Sequence, residues 1–189
     1  LKYIIIDEYQ DISISRFNLI KEIKKVTNAK VVAVGDDWQS IFRFAGSDIA
    51  LFTSFDKYLG YSAILRLEKT YRNCQELLNI AEKFVTRNPY QMKKHLSSDK
   101  HHSNPIRILG YGQNIGLALQ KAVDEIVHLF GENTEIMILG RHNFDIDVLK
   151  DYPGFTIRKT SNNTITIHYS RYKDLRLTYR TVHSSKGTE

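Results

Sequence analysis

With 189 residues, 42% of them hydrophobic and 25% charged, the chain has ordinary globular composition and enough length for one large unit or two small ones. Its single cysteine, Cys74, excludes an internal disulfide and a cysteine-rich zinc site and fits a reducing cytoplasm, and no apolar run approaches the roughly 20 residues that span a bilayer. The 27 basic residues against 21 acidic ones give a formal charge of +6, which permits a nucleic-acid partner without requiring one.

The opening stretch, LKYIIIDEYQD, predicts a strand over Tyr3–Ile6. A continuous apolar run without alternation reads as a strand covered on both faces, as in a parallel sheet. Asp7 and Glu8 then fall at its carboxyl end, where open α/β sheets bind ligands. Such a layout suits hydrolysis of a nucleoside triphosphate, with Asp7 holding Mg²⁺ and Glu8 orienting or deprotonating the attacking water. A strand-end Asp-Glu pair taken alone is more often incidental than a nucleotide site.

Ser13 or Ser15 can cap a helix running to about Thr27, with Leu19, Ile20, Ile23 and Val26 on one face. A second apolar strand, Val31–Val34, also ends in acids, Asp36 and Asp37, with Gly35 expected to allow a sharp turn. A loop over Trp38–Asp48, a short helix over Ile49–Lys57 and a third strand over Ala63–Leu67 follow. Strand, helix and strand in such quick succession predict parallel crossovers. Asn73 with Glu76 three residues on reads as a capping-box variant opening a helix that ends at Asn88-Pro89. The polar stretch from Met92 to Pro105 reads as an exposed loop in which His101 and His102 are solvated.

Ile106–Tyr111 is predicted as a strand and Ile115–Phe130 as the clearest helix, with Leu119, Ala122, Val123, Ile126, Val127 and Phe130 on its apolar side. A strand over Glu135–Leu139 and a short helix near Phe144–Tyr152 come next. The tail alternates through TIRKT, TITIHY and LRLTYRTV, with Asn162-Asn163 a plausible hairpin turn.

Four strings carry a resemblance to superfamily 1 helicases of the UvrD/Rep type. DEYQD, Asp7 to Asp11, resembles motif II, and VGDDWQSIFRFAGSD, Val34 to Asp48, resembles motif III. EKTYRN, Glu68 to Asn73, resembles motif IV, and TVHSSKGTE, Thr181 to Glu189, resembles motif V with Thr188 where Leu is usual. Within the family, Tyr9, the FRFAGSD string and the short interval from Arg72 to Thr181 resemble the helicase IV branch, with little or no 2B domain.

The resemblance implies an α/β fold made of parts of two RecA-like, three-layer α/β/α motor domains, residues 1–70 and 71–189. It implies an ATP-dependent 3′→5′ translocase on single-stranded DNA, using ATP and Mg²⁺ in the cytoplasm. Asp7 corresponds to the metal-binding position, Glu8 to the catalytic base and Gln39 to the residue that contacts γ-phosphate and attacking water. Tyr71 corresponds to the adenine-stacking residue, Arg72 to an arginine finger, and Glu189 to a residue near the ribose or γ-phosphate. Phe42 and Phe44 correspond to base-stacking positions, and His183 and Ser185 to DNA contacts. Taken alone, F-x-F reads better as core and a Tyr-Arg pair as surface.

The chain opens without methionine inside a strand and stops as a motif completes, so a piece of a longer protein is expected. No G-x-x-x-x-G-K-[ST] phosphate loop appears, and the isolated chain is expected to be silent in ATP hydrolysis. The alternatives are the helicase part of a helicase–nuclease, or a non-catalytic DNA-binding or interaction module that keeps the fold.

Overall fold

The computed structural model describes residues 1–112, 114–159 and 165–187. The chain forms two compact units, Leu1–Arg107 and Ile108–Glu189, each with helices and its own sheet. It is an α/β protein. The Asn162-Asn163 turn and Glu189 lie outside the described residues.

In the first unit, β1 (Tyr3–Ile6) pairs in parallel with β2 (Lys30–Ala33), Ile4 opposite Val31 and Ile6 opposite Ala33. Between them runs α1 (Ile14–Thr27). Ser13 caps it, its hydroxyl accepting the Arg16 N–H at 3.4 Å, and Asn28 closes it in the left-handed conformation. Ile6, Val31 and Ala33 face a core of Tyr9, Ile12, Phe17, Leu51 and Leu59. The buried stripe of α1 centres on Phe17, with Ile20 packed beside it, whereas Leu19 and Val26 point outward. The apolar face read from the sequence was therefore rotated by about one residue, because it left out Phe17.

Two expected strands are absent from this unit. Residues 63–67 and 106–107 lie in no strand, and Ile64, Leu65 and Leu67 are exposed. An apolar run becomes a strand only where a neighbour takes its N–H and C=O groups, and the first unit's sheet holds β1 and β2 alone among the described residues. Nor are β1 and β2 covered on both faces, since Tyr3, Ile5 and Val32 are exposed. The predicted 49–57 helix is broken into α2 (Ala50–Thr53) and α3 (Phe55–Leu59).

Helix α4 (Gln75–Val85) starts after Cys74, and no side chain caps it. The Asn73/Glu76 capping box does not form, because the Glu76 carboxylate is taken up elsewhere. It accepts the His102 N–H at 2.9 Å and meets His101 Nδ1 at 2.9 Å. These contacts hold Glu76 well below the usual carboxylate range, at about 2. The polar stretch after α4 is not a loose loop. Residues 68–70 and 97 exchange backbone hydrogen bonds in both directions, and Ser98 and Lys100 bond back to Asn73 and Gln75. The residue contacts thus group 71–107 with the first unit, on the far side of the boundary expected near Glu68–Arg72.

The second unit is built from α5 (Ile115–Phe130), β3 (Glu135–Gly140), β4 (Phe155–Lys159), β5 (Ile165–Tyr169), β6 (Arg176–Thr181) and the short α6 (Val182–Ser185). The sheet order is β3-β6-β5-β4, with β3 and β6 parallel and the other pairs antiparallel. Asn114 caps α5, its side chain accepting the Leu117 N–H at 2.9 Å. Val123 and Val127 pack on Ile165, Ile167, Tyr169, Leu177 and Tyr179. Residues 108–111, the rest of the expected 106–111 strand, likewise lie in no strand. The helix expected near Phe144–Tyr152 is a 3₁₀ segment, Asp145–Leu149.

Candidate functional site

Both strands of the first unit end in acids, and one glutamine joins the two ends. At the end of β1, Asp7 and Glu8 are exposed, and the Asp7 carboxylate accepts the Glu8 N–H at 2.8 Å. Glu8 has φ 50° and ψ 39°, the left-handed region that a residue with a Cβ seldom enters. The next residues fix it there. Tyr9 is wholly buried against Phe52 and Phe55, its N–H donates to Val34 O at 2.9 Å, and burial pushes its hydroxyl up to about 12.

Gln10, also wholly buried, donates from Nε2 to Glu8 Oε2 at 2.5 Å and accepts the Asp36 N–H on Oε1 at 3.0 Å. Asp36 Oδ1 accepts the Trp38 N–H, and Asp36 Oδ2 accepts Gln39 Nε2 at 3.0 Å. A continuous path therefore runs from Glu8 through Gln10 and Asp36 to Gln39. Burial alone would raise the Asp36 carboxyl, but hydrogen bonds and charge from Lys94, with Gln39 and the Trp38 N–H, hold it below its ordinary value.

Gly35 serves this path differently from the expected sharp turn. Its φ is not positive, and a Cβ there would lie 2.4 Å from Gln10 Oε1 and 2.9 Å from Phe52 Cε2. Glycine is needed for close approach, so that Gln10 can pass beneath the strand end.

Beyond Gln39, Phe42 is half-buried and Phe44 is 73% exposed on the 3₁₀ turn Arg43–Ala45, their rings 6.1 Å apart at 49°. Gly46 ends that turn with φ 88°, a left-handed position suited to glycine. Tyr71 and Arg72 are exposed on the turn before α4, with Lys69 Nζ 5.5 Å from the Tyr71 ring centre. In the second unit, β6 leads directly into α6, which carries a half-buried His183 and Ser185. Ser185 Oγ donates to Val182 O at 2.9 Å, and the Thr181 hydroxyl accepts the Ser184 N–H at 3.2 Å. The geometry thus joins Glu8 and Gln39 by hydrogen bonds and sets Asp7 beside Glu8.

Three partners went unassigned in the sequence: Gln10, Asp36 and Lys94. Gln10 was legible as part of a motif but not as the residue joining two strand ends. Lys94 lies 58 positions from Asp36 in a polar stretch, where no local pattern marks it.

Among the described residues there is no group of three or more potential metal ligands. An exposed strand-end carboxylate such as Asp7 fits Mg²⁺, which is commonly held by one or two carboxylates with substrate phosphates and water. No helix among the described residues is long and apolar enough to cross a membrane.

Comparison with known proteins agrees with the motif reading. Residues 1–59 match the family model of the UvrD/REP helicase N-terminal domain. The chain is a UvrD/Rep-type helicase segment. It is 30% identical over 193 residues to DNA helicase IV of Escherichia coli (strain K12), covering all of this chain and 25% of that protein. It is 30% identical over 154 residues to the ATP-dependent DNA helicase Rep of Buchnera aphidicola (subsp. Schizaphis graminum), covering 79% of this chain and 23% of that protein. With the ATP-dependent DNA helicase PcrA of Bacillus subtilis (strain 168) the identity is 33% over 95 residues, 50% of this chain and 13% of that protein. The chain spans about a quarter of the length of the first two of these relatives.

Proposed function

We propose that the chain is part of an ATP-dependent DNA helicase that moves 3′→5′ along single-stranded DNA in the cytoplasm, residues 1–70 and 71–189 belonging to two RecA-like motor domains. The observation that carries this reading is the hydrogen-bonded path Glu8–Gln10–Asp36–Gln39. It ties an acid at the end of β1 to an amide beyond the end of β2, so a change at Gln39 is felt at Glu8.

In this reading Glu8 accepts the proton of the attacking water and Gln39 orients that water and the γ-phosphate. Asp7 would hold Mg²⁺, which would supply charge compensation for the nucleotide's phosphates. Exposed Tyr71 stacks on adenine, Arg72 reaches the γ-phosphate, and Glu189 approaches the nucleotide. Exposed Phe44 with Phe42 supplies a stacking platform for bases, and His183 and Ser185 contact the DNA. The motor-domain boundary falls near residue 70, with no large 2B insertion before Thr181. Since this stretch has no phosphate loop, ATP turnover belongs to the longer protein and the isolated chain is silent.

The test uses the full-length protein. Glu8→Gln keeps the side chain's size and the Asp7 contact, so ATP·Mg²⁺ binding persists while hydrolysis is lost. Phe44→Ala removes a platform but no phosphate contact. It weakens single-stranded DNA binding by about 1–3 kcal/mol and leaves hydrolysis without DNA nearly unchanged. Normal hydrolysis in Glu8→Gln together with an unfolded Phe44→Ala protein would sink the reading.

A further inference from the structure

Residues 92–100 form a strap fastened at both ends within the first unit. At one end, Met92 N–H donates to the Asp37 carboxylate at 2.7 Å, and Trp38 Nε1 donates to Met92 O at 2.9 Å. Lys94 then reaches both carboxylates, pairing with Asp36 and with the wholly buried Asp37, and its ammonium lies 5.2 Å from the centre of the Trp38 ring. At the other end, Ser97 N–H donates to Glu68 O at 2.8 Å, Thr70 N–H donates to Ser97 O at 2.9 Å, and Ser98 Oγ donates to Asn73 O at 2.7 Å. Tyr71 and Arg72 lie between those last two anchors.

The chemistry at Lys94 explains what this fastening does. Asp36 Oδ1 is engaged by Lys94 and by the Trp38 N–H, which fixes the plane of the carboxylate. Fixing that plane fixes Oδ2, the atom that accepts the Gln39 amide. Without the ammonium, Asp36 and Asp37 are two adjacent carboxylates that repel each other. Asp36 Oδ1 also loses one of its two donors, which loosens the carboxylate plane and with it the hold of Oδ2 on Gln39.

We infer that Lys94 is a positioning residue for the hydrolytic step: through Asp36 it sets Gln39, and through the strap it ties the Gln39 turn to the Tyr71–Arg72 turn. It acts through Asp36 rather than on the reacting atoms. The inference rests on the nucleotide role assigned to Glu8 and Gln39.

The experiment compares Lys94→Met and Lys94→Arg in the full-length protein, with Glu8→Gln as the control on the underlying reading. Misplacing a group by about 1 Å can cost a hundredfold in rate, so Lys94→Met lowers kcat for ATP by about ten- to a hundredfold while KM stays within about twofold. Lys94→Arg, which keeps the charge, recovers most of that loss. In a full-length protein engineered to keep Trp38, the one tryptophan of these 189 residues, as its only tryptophan, fluorescence reports the clasp directly. Lys94→Met shifts that emission and opens the ring to acrylamide quenching.

Unchanged kcat in Lys94→Met, a change confined to KM, or no recovery in Lys94→Arg overturns the inference. If Lys94→Met does not fold, Asp36→Asn decides. It keeps the shape and removes the charge, and it must lower kcat by about tenfold or more. Loss of hydrolysis in Glu8→Gln with normal Lys94→Met turnover defeats Lys94 alone. Normal hydrolysis in Glu8→Gln defeats the nucleotide reading and this inference with it.

Discussion

In β5 of the second unit, Ile165, Ile167 and Tyr169 are buried and the residues between them are exposed, whereas in β1 of the first unit Ile4 and Ile6 are only half-buried and Tyr3 and Ile5 are bare. The second unit thus closes an apolar core beneath a four-stranded sheet and leaves its polar face to solvent. The first unit has two strands and a smaller apolar cluster. Much of its definition comes from buried polar groups: Gln10, Asp37 and Ser98 are each buried and engaged by hydrogen bonds or charge. Apolar packing tolerates local adjustment, whereas a buried polar network fails when one member is lost. The candidate hydrolytic groups sit on the second kind of support.

The largest stability effect is expected where support is purely apolar. Leu177 is wholly buried at the centre of the second unit's core, and Leu177→Ala should cost about 2–5 kcal/mol. Denaturant unfolding followed by signals from each unit separately should show the loss in the second unit; an equal loss in the first would break the contrast.

Gly35→Ala tests the polar support. Its Cβ would enter the space of Gln10 Oε1 and Phe52, so the substitution should cost about 1–3 kcal/mol and loosen Gln10 from Glu8. Hydrogen exchange at the Asp36 amide, which Gln10 accepts, should accelerate beyond the global change. Exchange that rises only in step with global stability would show that Gly35 is ordinary core.

The smallest effect concerns pH. Glu76 is lowered from 4.5 to about 2, chiefly by the His102 N–H and then by His101. Because its folded value lies below the unfolded one, its contribution is complete above about pH 4.5 and fades as pH falls towards 2. A carboxyl NMR titration of Glu76 should follow this course, and Glu76→Gln should remove that part of the acid dependence while leaving the second unit's untouched. A Glu76 titrating at its ordinary value would show that the histidine contacts do not hold in solution.

Much of this architecture could be read from residue order alone. Helix α5 runs from Ile115 to Phe130 as its periodicity predicts, and the alternating tail forms strands in the expected places. Parallel β1 and β2 followed from two apolar runs, each ending in acids. Residues 63–67 were misread because an apolar run states a preference for burial and cannot show that a partner strand exists. Glu76 looked like half of a capping box, but its spacing to Asn73 says nothing of two histidines 25 and 26 residues later that compete for it. The candidate site was legible as motifs, and its wiring was not. Gln10–Asp36 and Lys94–Asp36 are contacts across 26 and 58 positions, set by the fold.

The left-handed backbone at Glu8 has a consequence for how this protein can be altered. A glycine would take φ 50° without the penalty of about 1–2 kcal/mol that a residue with a Cβ incurs there. A glycine would also strip the wholly buried Gln10 Nε2 of its acceptor, Glu8 Oε2, at a cost of about 1–3 kcal/mol that offsets the backbone gain. The strained backbone at position 8 is thus held by its own wiring, so a library screened only for soluble, heat-resistant protein should keep a hydrogen-bond acceptor there rather than drift to glycine.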